Sequence, residues 1–398
     1  MTKKLFVMEE GRYIDDLPEA MFEEALRKYE ANILNKVNSY LTNVSDLREV
    51  IREKLYNLNL LRNIGEIVQH KRYPTTCATD GAYAINKQLT VDVVAIAAVA
   101  VEGLIPPKED RIWEKPHHLI EIYPVEHKQR TSSVCRGIMF SFELELATKA
   151  PHSIIFLDGS LTTQLIGLGM SFSAIKNEEV PLLLSEKFEE RAEQTLKNYL
   201  KVLTSEKSDQ IFAGIPKYSS RHEVATKLIE EYPELGKSVD LEKYNDKGLL
   251  SLVLKPDEVV GPIKLTKSEE EGRWHLSGVR GEYDEYEKKI VEALDELYVI
   301  YYKPSPSQPA LRVEIPRSIA FNNARLSILL EGLQEQSKFA GIIEPYPLYL
   351  ADMFVKHLSG ALSEIKNIVI SDLGTLSKIS SLDVFIAMHE YRSVGGYE

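Results

Sequence analysis

The sequence is short of the features that mark several large protein classes. Its 398 residues include only two cysteines, Cys77 and Cys135, which lie far apart and form no CxxC pair. Neither a zinc knuckle nor a disulfide framework is therefore indicated. The most apolar run, VVAIAAVAV at 93–101, is bounded by Asp92 and Glu102. It is too short to span a bilayer, which needs about 20 residues, so we predict no membrane association.

The beginning of the chain and its net charge bear on two further classes of protein, secreted proteins and proteins that coat DNA. The opening MTKKLFVMEEGRY has no long apolar core and turns acidic at once, so we predict no secretory signal and expect a cytoplasmic protein. The net charge of −12 argues against a protein that coats DNA by bulk attraction. A nuclease remains possible, because a cluster of metal-binding carboxylates is itself acidic until metal fills it, and a partner can supply a basic track.

The apolar pattern predicts a helical region followed by an α/β domain. Apolar residues recur at helical spacing over 17–41, and a second helix is predicted from about Ser45, where Asp46 and Glu49 fit an acidic capping box. We therefore predict an N-terminal helical arm over 1–70 and a main domain over 71–398. Within the main domain, a helical and loop segment is predicted as an insertion around 185–297.

Strands and helices alternate in the predicted main domain. Three strand patterns precede a helix and a short, intensely apolar strand, which is the order of an α/β protein. Strands are predicted at 76–84, 89–101, 117–125, 153–157, 210–216, 298–303, 310–315 and 366–371, and helices at 133–150, 186–204, 221–231, 246–254, 285–297, 318–336 and 348–362.

Two aspartates lead the candidates for chemistry. Asp80 in ATDGAYA and Asp158 in IIFLDGSL each follow apolar strand residues and precede a glycine. A strand end fixes a carboxylate rigidly, and a following glycine lets a metal or a substrate approach closely. Asp-Gly is also the strongest short hairpin signal, so a plain turn is the alternative at each position.

A glutamate on the helix between these aspartates is a third candidate. Glu143 and Glu145 are two residues apart in ELELA, so they point to different sides of the helix and only one of them can easily enter a shared site. A solvated glutamate is the alternative for both.

Taken in order, these residues and several later stretches resemble the NurA nuclease family. The resemblance starts with Asp80-Gly81, Glu143 and LDGSL at 157–161. It continues with FAGIPKYSS at 212–220, DKGLLSLVLKPDEVVGP at 246–262, YYKPSPSQPALRVEIP at 301–316 and PYPLYLAD at 345–352. No single motif is specific, but these weak matches in the right order are fairly specific together.

The resemblance implies an RNase H-like mixed sheet core with flanking helices, a homodimer, and degradation of DNA with manganese or magnesium. It also implies a partner, the HerA-type hexameric ATPase. The sequence contains no P-loop of its own, so a motor would have to come from such a partner. A role in DNA repair or in defence against foreign DNA would follow.

The resemblance also assigns residues to the site. Asp80 and Asp158 match the family's metal-binding aspartates, and Glu143 matches its helix glutamate better than Glu145 does. The resemblance therefore implies that Asp80, Glu143 and Asp158 hold one or two metal ions, with Glu344 or Asp352 completing the coordination. Lys217 matches a lysine near the site, where it could meet a phosphate; a surface lysine is the alternative. The pair Arg312 and Glu314 matches an R-x-E stretch and is expected to be structural.

The sequence departs from the family pattern at its end. Where the family has a tyrosine and a histidine that help to form the site, this chain has Glu344 and Asp352. Oxygen ligands suit magnesium or manganese, but an ordinary aspartate is poorly placed to transfer a proton near neutral pH. The site is all-carboxylate, or the alignment is out of register, or catalysis has been lost.

Two further hypotheses stay open beside the nuclease. One is a non-catalytic subunit of the same fold that regulates or scaffolds its ATPase partner. The other is an unrelated α/β protein with two chance Asp-Gly turns. The distance between the two aspartates tests the second of these hypotheses, because Asp80 and Asp158 have to lie within about 8 Å of each other to share a metal pair. A nuclease assay in manganese tests the first.

Overall fold

The computed structural model describes residues 17–358, apart from 105–110, 114, 207–208, 239–240, 242–243, 266–274, 280 and 340, together with scattered residues from 360 to 389. The helices are α1 (Leu17–Tyr29), α2 (Asn35–Asn57), α3 (Ile64–Ile67), α4 (Thr131–Lys149), α5 (Thr163–Lys176), α6 (Leu182–Thr204), α7 (Glu223–Glu231), α8 (Pro233–Ser238), α9 (Asp246–Val253), α10 (Asp284–Leu294), α11 (Arg317–Ala320), α12 (Asn323–Gln336) and α13 (Tyr346–Lys356). A π-helical turn, Glu30–Leu34, joins α1 to α2, and a 3₁₀ turn, Gly281–Tyr283, precedes α10.

The strands form one mixed sheet. They are β1 (Leu61–Asn63), β2 (Thr76–Lys87), β3 (Asp92–Glu102), β4 (His117–Val125), β5 (Ile154–Asp158), β6 (Ile211–Ile215), β7 (Glu258–Lys264), β8 (Leu297–Tyr302) and β9 (Leu311–Pro316), in the spatial order β1-β7-β8-β9-β6-β5-β2-β3-β4. Strands β2, β5 and β6 are parallel neighbours, and the other pairs are antiparallel. The predicted α/β class is confirmed, while the narrower RNase H-like core stays a prediction.

Helical layers cover both faces of the sheet, and alternate strand residues face different layers. Cys77, Ile155 and Phe212 pack in the core that α4, α5 and α6 form on one face. Their chain neighbours Ala78, Phe156 and Ala213 pack in the core of α12 on the other face. Because side chains alternate with period two, Asp80 and Asp158 fall on the α12 face, on which α13 also packs.

The register of the parallel strands sets the two candidate aspartates side by side. Thr79 pairs with Leu157, and this is the last pair between β2 and β5. Asp80 and Asp158 are the next residues on the two strands, at the point where β5 ends. On its other side, Asp158 pairs with Ile215, the last residue of β6. Sheet register alone therefore brings three strand segments to one place.

The N-terminal region differs from its prediction in two ways. The helix does not restart near Ser45, because α2 continues through this position and the apolar stripe of Val44, Ile51 and Leu55 is unbroken and buried against α9. The predicted capping box is therefore wrong. Beyond the helix, β1 pairs with β7 and adds a strand to the edge of the sheet. The division at residue 70 stays a prediction.

Several elements of the main part also differ from their predictions. Helix α5 and strand β7 were not predicted, and β7 extends the sheet within the segment that the sequence marks as an insertion. A strand was predicted at 366–371, but the described residues from Asn367 to Val369 are helical. Among the helices that the structure describes, none has the length and hydropathy that crossing a bilayer requires.

Candidate metal centre

Three carboxylates from three separate elements meet at the end of β5. One oxygen each of Asp80, Asp158 and Asp352 lie within 4.8 Å of one another. The first two come from neighbouring strands and the third from α13, which packs across β2 and β3. This is well inside the separation of about 8 Å that a shared metal pair allows. Asp352 thus belongs to the same cluster as the two strand aspartates.

Asp80 does not lie in a turn. Strand β2 continues through Asp80 and Gly81 to Lys87 and pairs with β3 along its whole length. Both the hairpin-turn interpretation and the expected strand end are therefore wrong here. Asp80 is 6% exposed, and its carboxylate accepts a hydrogen bond from the backbone N–H of Gly81 at 2.8 Å. Its place beside the end of β5, rather than the end of its own strand, makes it available to a ligand.

Gly81 leaves a gap that Glu143 fills. A Cβ at Gly81 would lie 2.5 Å from Glu143 Oε1 and 2.7 Å from Met139 Cγ. Glu143 reaches this gap from α4, on the face of the sheet opposite to α13, and is 3% exposed. The glycine of the Asp-Gly pair thus serves a close approach of a carboxylate rather than a turn.

The two helix glutamates separate clearly. Glu143 is buried against β2, and the charges of Asp80 and Asp158 act on it. Glu145 forms ion pairs with Lys149 at 2.6 Å and with Arg191 at 3.0 Å, away from the cluster. Of the two, the structure brings Glu143 to the site.

Asp158 ends β5, as predicted, and is followed by a turn that leads into α5 rather than by a return strand. Its carboxylate accepts a hydrogen bond from Lys217 Nζ at 3.2 Å. The same ammonium lies 2.9 Å from Asp352 Oδ1 and 3.4 Å from Glu344 Oε2. Lys217 is therefore no ordinary surface lysine, since it is the common counter-ion of three carboxylates. All six predicted residues lie in this one region of the fold.

Crowding of carboxylates shifts their proton affinity. Burial, together with the charge of Asp158, raises the pKa of Asp80 to about 7. Burial and the charges of Asp80 and Asp158 raise the pKa of Glu143 well above its ordinary value. Burial also raises the pKa of Glu344. For Asp352, hydrogen bonds from Lys356 and Lys217 outweigh burial and lower the pKa. The ammonium groups of Lys217 and Lys356 do not neutralise these five carboxylates, and further positive charge is favoured there.

We expect Asp80→Asn to make the metal-free chain more stable at alkaline pH. A carboxyl group with a raised pKa takes up a proton on folding, so its cost to the folded state grows as pH rises from about 4 to about 7. Asparagine removes that cost. In a chelator, Asp80→Asn should melt about 3 °C above the unsubstituted chain at pH 8, with the difference shrinking toward pH 4. An equal difference at both pH values, measured by calorimetry, would contradict the raised pKa.

The chemistry of the donor set fits a hard divalent cation. The ligand atoms that meet are carboxylate oxygens, which magnesium, manganese and calcium prefer. Their mutual repulsion and partial burial make the cluster costly without a cation. Asp80, Asp158 and Asp352 would hold the ion, with Glu143 and Glu344 next to them.

Lys247, which had no predicted role, holds the backbone of the segment that carries Lys217. Its ammonium donates to the backbone carbonyls of Pro216 and Lys217 at 3.1 and 2.7 Å. Burial lowers the pKa of Lys247 to about 8. Lys247 thus fixes the segment after β6 that carries Lys217. The only sequence signal was its place in the DKGLLSL stretch.

The comparisons with known proteins agree with this fold. The model of the NurA domain matches residues 74–357. The structure of the NurA nuclease from Sulfolobus solfataricus is similar over 90% of this chain and 98% of that chain, with a TM-score of 0.56 at 16% sequence identity. A likeness at this identity shows a shared fold.

Two other solved structures are similar at lower scores. NurA with manganese matches over 85% of this chain and 99% of that chain, with a TM-score of 0.45 at 12% identity. NurA bound to dAMP and manganese matches over 82% and 93%, respectively, with a TM-score of 0.45 at 13% identity. A comparison with curated protein sequences found no match.

Proposed function

The chain belongs to the NurA family, whose domain model covers residues 74–357, and from this premise we propose that it is a deoxyribonuclease that depends on a divalent metal. The observation that carries the proposal is the meeting of Asp80, Asp158 and Asp352 within 4.8 Å. Hydrolysis of a phosphodiester at such a cluster is a common use of carboxylate-bound metals. Manganese or magnesium suits the all-oxygen donor set.

Each residue of the cluster has a distinct part in this proposal. Asp80, Asp158 and Asp352 hold the metal, and Glu143 and Glu344 complete the carboxylate environment. A divalent cation bound there supplies activation of water and stabilisation of the leaving oxygen. Lys217, whose ammonium already faces Asp158 and Asp352, screens the charge of the scissile phosphate.

A cleavage assay tests the proposal. The full chain is incubated with end-labelled linear duplex and single-stranded DNA, in manganese, in magnesium and in a chelator. Cutting that requires the metal supports the proposal. Equal cutting in the chelator, or loss of cutting on further purification, would refute it.

Replacing Lys217 separates phosphate contact from metal binding. We expect Lys217→Met to lower the turnover number by about 100-fold, because an aimed cationic donor is lost. The affinity for Mn²⁺ should stay the same or rise, because the lost ammonium repels a cation. Calorimetric titration and single-turnover cleavage measure the two effects. Lys187→Met, on the exposed face of α6 where Lys187 pairs with Glu190 at 2.8 Å, is the control and should change neither.

A second candidate function rests on Glu344 and Asp352, which replace the tyrosine and histidine of the family pattern. With no histidine in the cluster, the chain could be a degenerate subunit that regulates or scaffolds an ATPase. This candidate predicts that the full chain fails to cut DNA in manganese with or without the ATPase, and still binds the ATPase.

The proposed partners are DNA, a HerA-like hexameric ATPase and a second copy of this chain, in the cytoplasm, in DNA end processing, repair or defence against foreign DNA. Along the N-terminal helices, large apolar side chains are exposed, which suits a protein partner. They are Met21, Phe22, Leu26, Tyr29, Ile33, Leu34, Val37 and Leu41. Light scattering of the chain alone and after mixing with the ATPase tests both associations.

A further inference from the structure

A buried group of charged side chains lies beside the candidate metal centre. Arg312 and Glu314 on β9 are 0% and 1% exposed. Arg312 Nε donates to Glu314 Oε1 at 3.1 Å, and its Nη1 and Nη2 donate to the two carboxylate oxygens of Glu223 at 2.8 and 2.9 Å. Buried charges of this kind persist only when they are paired and hydrogen-bonded, so the guanidinium fixes the orientation of Glu314.

The second oxygen of Glu314 holds the turn that follows Asp158. Glu314 Oε2 accepts hydrogen bonds from Ser160 Oγ at 2.7 Å and from the backbone N–H of Leu161 at 3.0 Å. On the other side of this turn, Tyr199 Oη donates to the carbonyl of Leu161 at 2.6 Å. The turn is thus held by side chains from β9 and α6.

Glycine makes this contact possible across an intervening strand. Strand β6 lies between β5 and β9, and its Gly214 is the residue that pairs with Glu314. A Cβ at Gly214 would lie 2.9 Å from Leu161 Cγ and 3.0 Å from the carbonyl oxygen of Gly159. A larger residue there would push the turn away from Glu314.

The orientation of the Asp158 carboxylate depends on how firmly the turn that follows it is held. Its hydrogen bond is to Lys217, whose side chain is 34% exposed and is shared with Asp352 and Glu344. A shared, partly exposed lysine does not fix one carboxylate orientation. The turn over 159–161 directly follows Asp158, so an anchor on that turn limits how far Asp158 can move.

We propose that Glu314 is a positioning residue of the metal centre, which holds the turn after Asp158 so that this carboxylate faces Asp80 and Asp352. The inference rests on the proposed metal site. It changes the expectation from the sequence, in which Arg312 and Glu314 were structural only. Residues that orient metal ligands commonly change metal affinity or activity by 10–100-fold when they are replaced.

The variant Glu314→Gln tests the positioning role. Glutamine has one oxygen and one NH₂ group, so it cannot accept from both Arg312 and the turn. We expect its affinity for Mn²⁺, measured by calorimetric titration of the full folded chain, to be about 10–100-fold weaker than that of the unsubstituted chain. The turnover number should fall while the KM for DNA stays within about threefold, because the DNA-contacting surface is unchanged.

Glu331→Gln is the matched control. Glu331 on α12 is also 1% exposed, and its Oε1 accepts from the backbone N–H groups of Arg72 and Tyr73 at 2.6 and 2.7 Å. The Glu331→Gln variant thus also loses a buried carboxylate, but this carboxylate holds the segment before β2. Glu331→Gln should leave Mn²⁺ affinity unchanged, because Glu331 holds a different segment from the turn after Asp158. Equal losses of Mn²⁺ affinity in both glutamine variants would overturn the positioning role.

Ser160→Ala gives a second, milder test that does not disturb Arg312. It removes one of the two hydrogen bonds between Glu314 and the turn, and we expect Mn²⁺ affinity to fall by about tenfold. In the Glu314→Gln background, the same change should add less than about twofold, because the two residues act together. If Glu314→Gln does not fold, the Ser160→Ala result decides.

The outcomes distinguish this inference from the proposed function. If the unsubstituted chain binds no Mn²⁺, the metal site itself is refuted, and the inference with it. If the unsubstituted chain binds Mn²⁺ and Ser160→Ala binds as tightly, the metal site stands and Glu314 has no positioning role.

Discussion

Asp158→Asn is expected to lower Mn²⁺-dependent cleavage of linear DNA by at least about 1,000-fold. The substitution removes one of the three carboxylates that we propose hold the metal, the other two being those of Asp80 and Asp352, and metal at such a site supplies several kcal/mol of transition-state stabilisation. Asparagine keeps the size and shape of the side chain at the end of β5. Single-turnover cleavage at saturating DNA measures the effect.

The loss should come from chemistry rather than from unfolding. Asp295→Asn, on the C-cap of α10, is a suitable control and should cut as fast as the unsubstituted chain. The melting temperature of Asp158→Asn in a chelator should be close to that of the unsubstituted chain, because the charge that is removed is repelled by Asp80 and attracted by Lys217. If Asp158→Asn cuts at the normal rate, the catalytic role of the cluster is wrong.

Glu143→Gln and Glu145→Gln are expected to differ in activity by at least about 100-fold. The two glutamates are two residues apart on α4, yet Glu143 enters the gap beside Gly81 while Glu145 pairs with Lys149 and Arg191. Loss of the Glu143 carboxylate removes an acidic group next to the proposed metal ligands, and the metal that they would hold supplies several kcal/mol of transition-state stabilisation. Cleavage rates in manganese at pH 8 measure the difference.

Glu145→Gln should keep activity within about twofold and change the free energy of unfolding by no more than about 1 kcal/mol, as expected for ion pairs near the surface. Glu143→Gln should unfold at the same temperature or higher in a chelator, because a buried charge is neutralised. If Glu145→Gln is the less active variant, Glu145 rather than Glu143 lies at the site, and the account of this helix is wrong.

The sequence predicted residues that the structure brings together in one region, while the geometry of that region could not be predicted. Asp158 was expected at a strand end because a short apolar run stops there, and it lies there. Asp80 was expected at or near a strand end, within a strand predicted over 76–84, but β2 continues to Lys87 and pairs with β3 beyond Gly81. Asp80 is accessible to a ligand because the neighbouring strand β5 ends beside it. This pairing joins segments that are far apart in the chain, so no local sequence pattern shows it.

Asp352 depended most on long-range structure. It was a candidate from motif order alone, and it joins Asp80 and Asp158 because α13 packs across β2 and β3. Glu314 illustrates the opposite case. Its R-x-E stretch was visible, but its contact with the turn after Asp158 crosses β6 at Gly214, and that crossing exists only in the folded sheet.

The missed elements have local causes. Helix α5 is apolar on nearly every side and contains Gly167 and Gly169, so it has no amphipathic stripe to recognise. Strand β7 contains Gly261 and Pro262, which normally argue against a strand, and the β7–β8 register shifts between Val260 and Ile263. This shift in register accommodates Gly261 and Pro262, which a regular ladder of hydrogen bonds would not.

The most direct test of the metal centre is anomalous scattering from crystals of the full chain grown with Mn²⁺. The structure predicts an anomalous peak within bonding distance of carboxylate oxygens of Asp80, Asp158 and Asp352, with the Lys217 ammonium moved from its present 2.9 Å contact with Asp352. A map in which this cluster has no peak at saturating Mn²⁺, with Lys217 still bound to Asp352, would contradict the account.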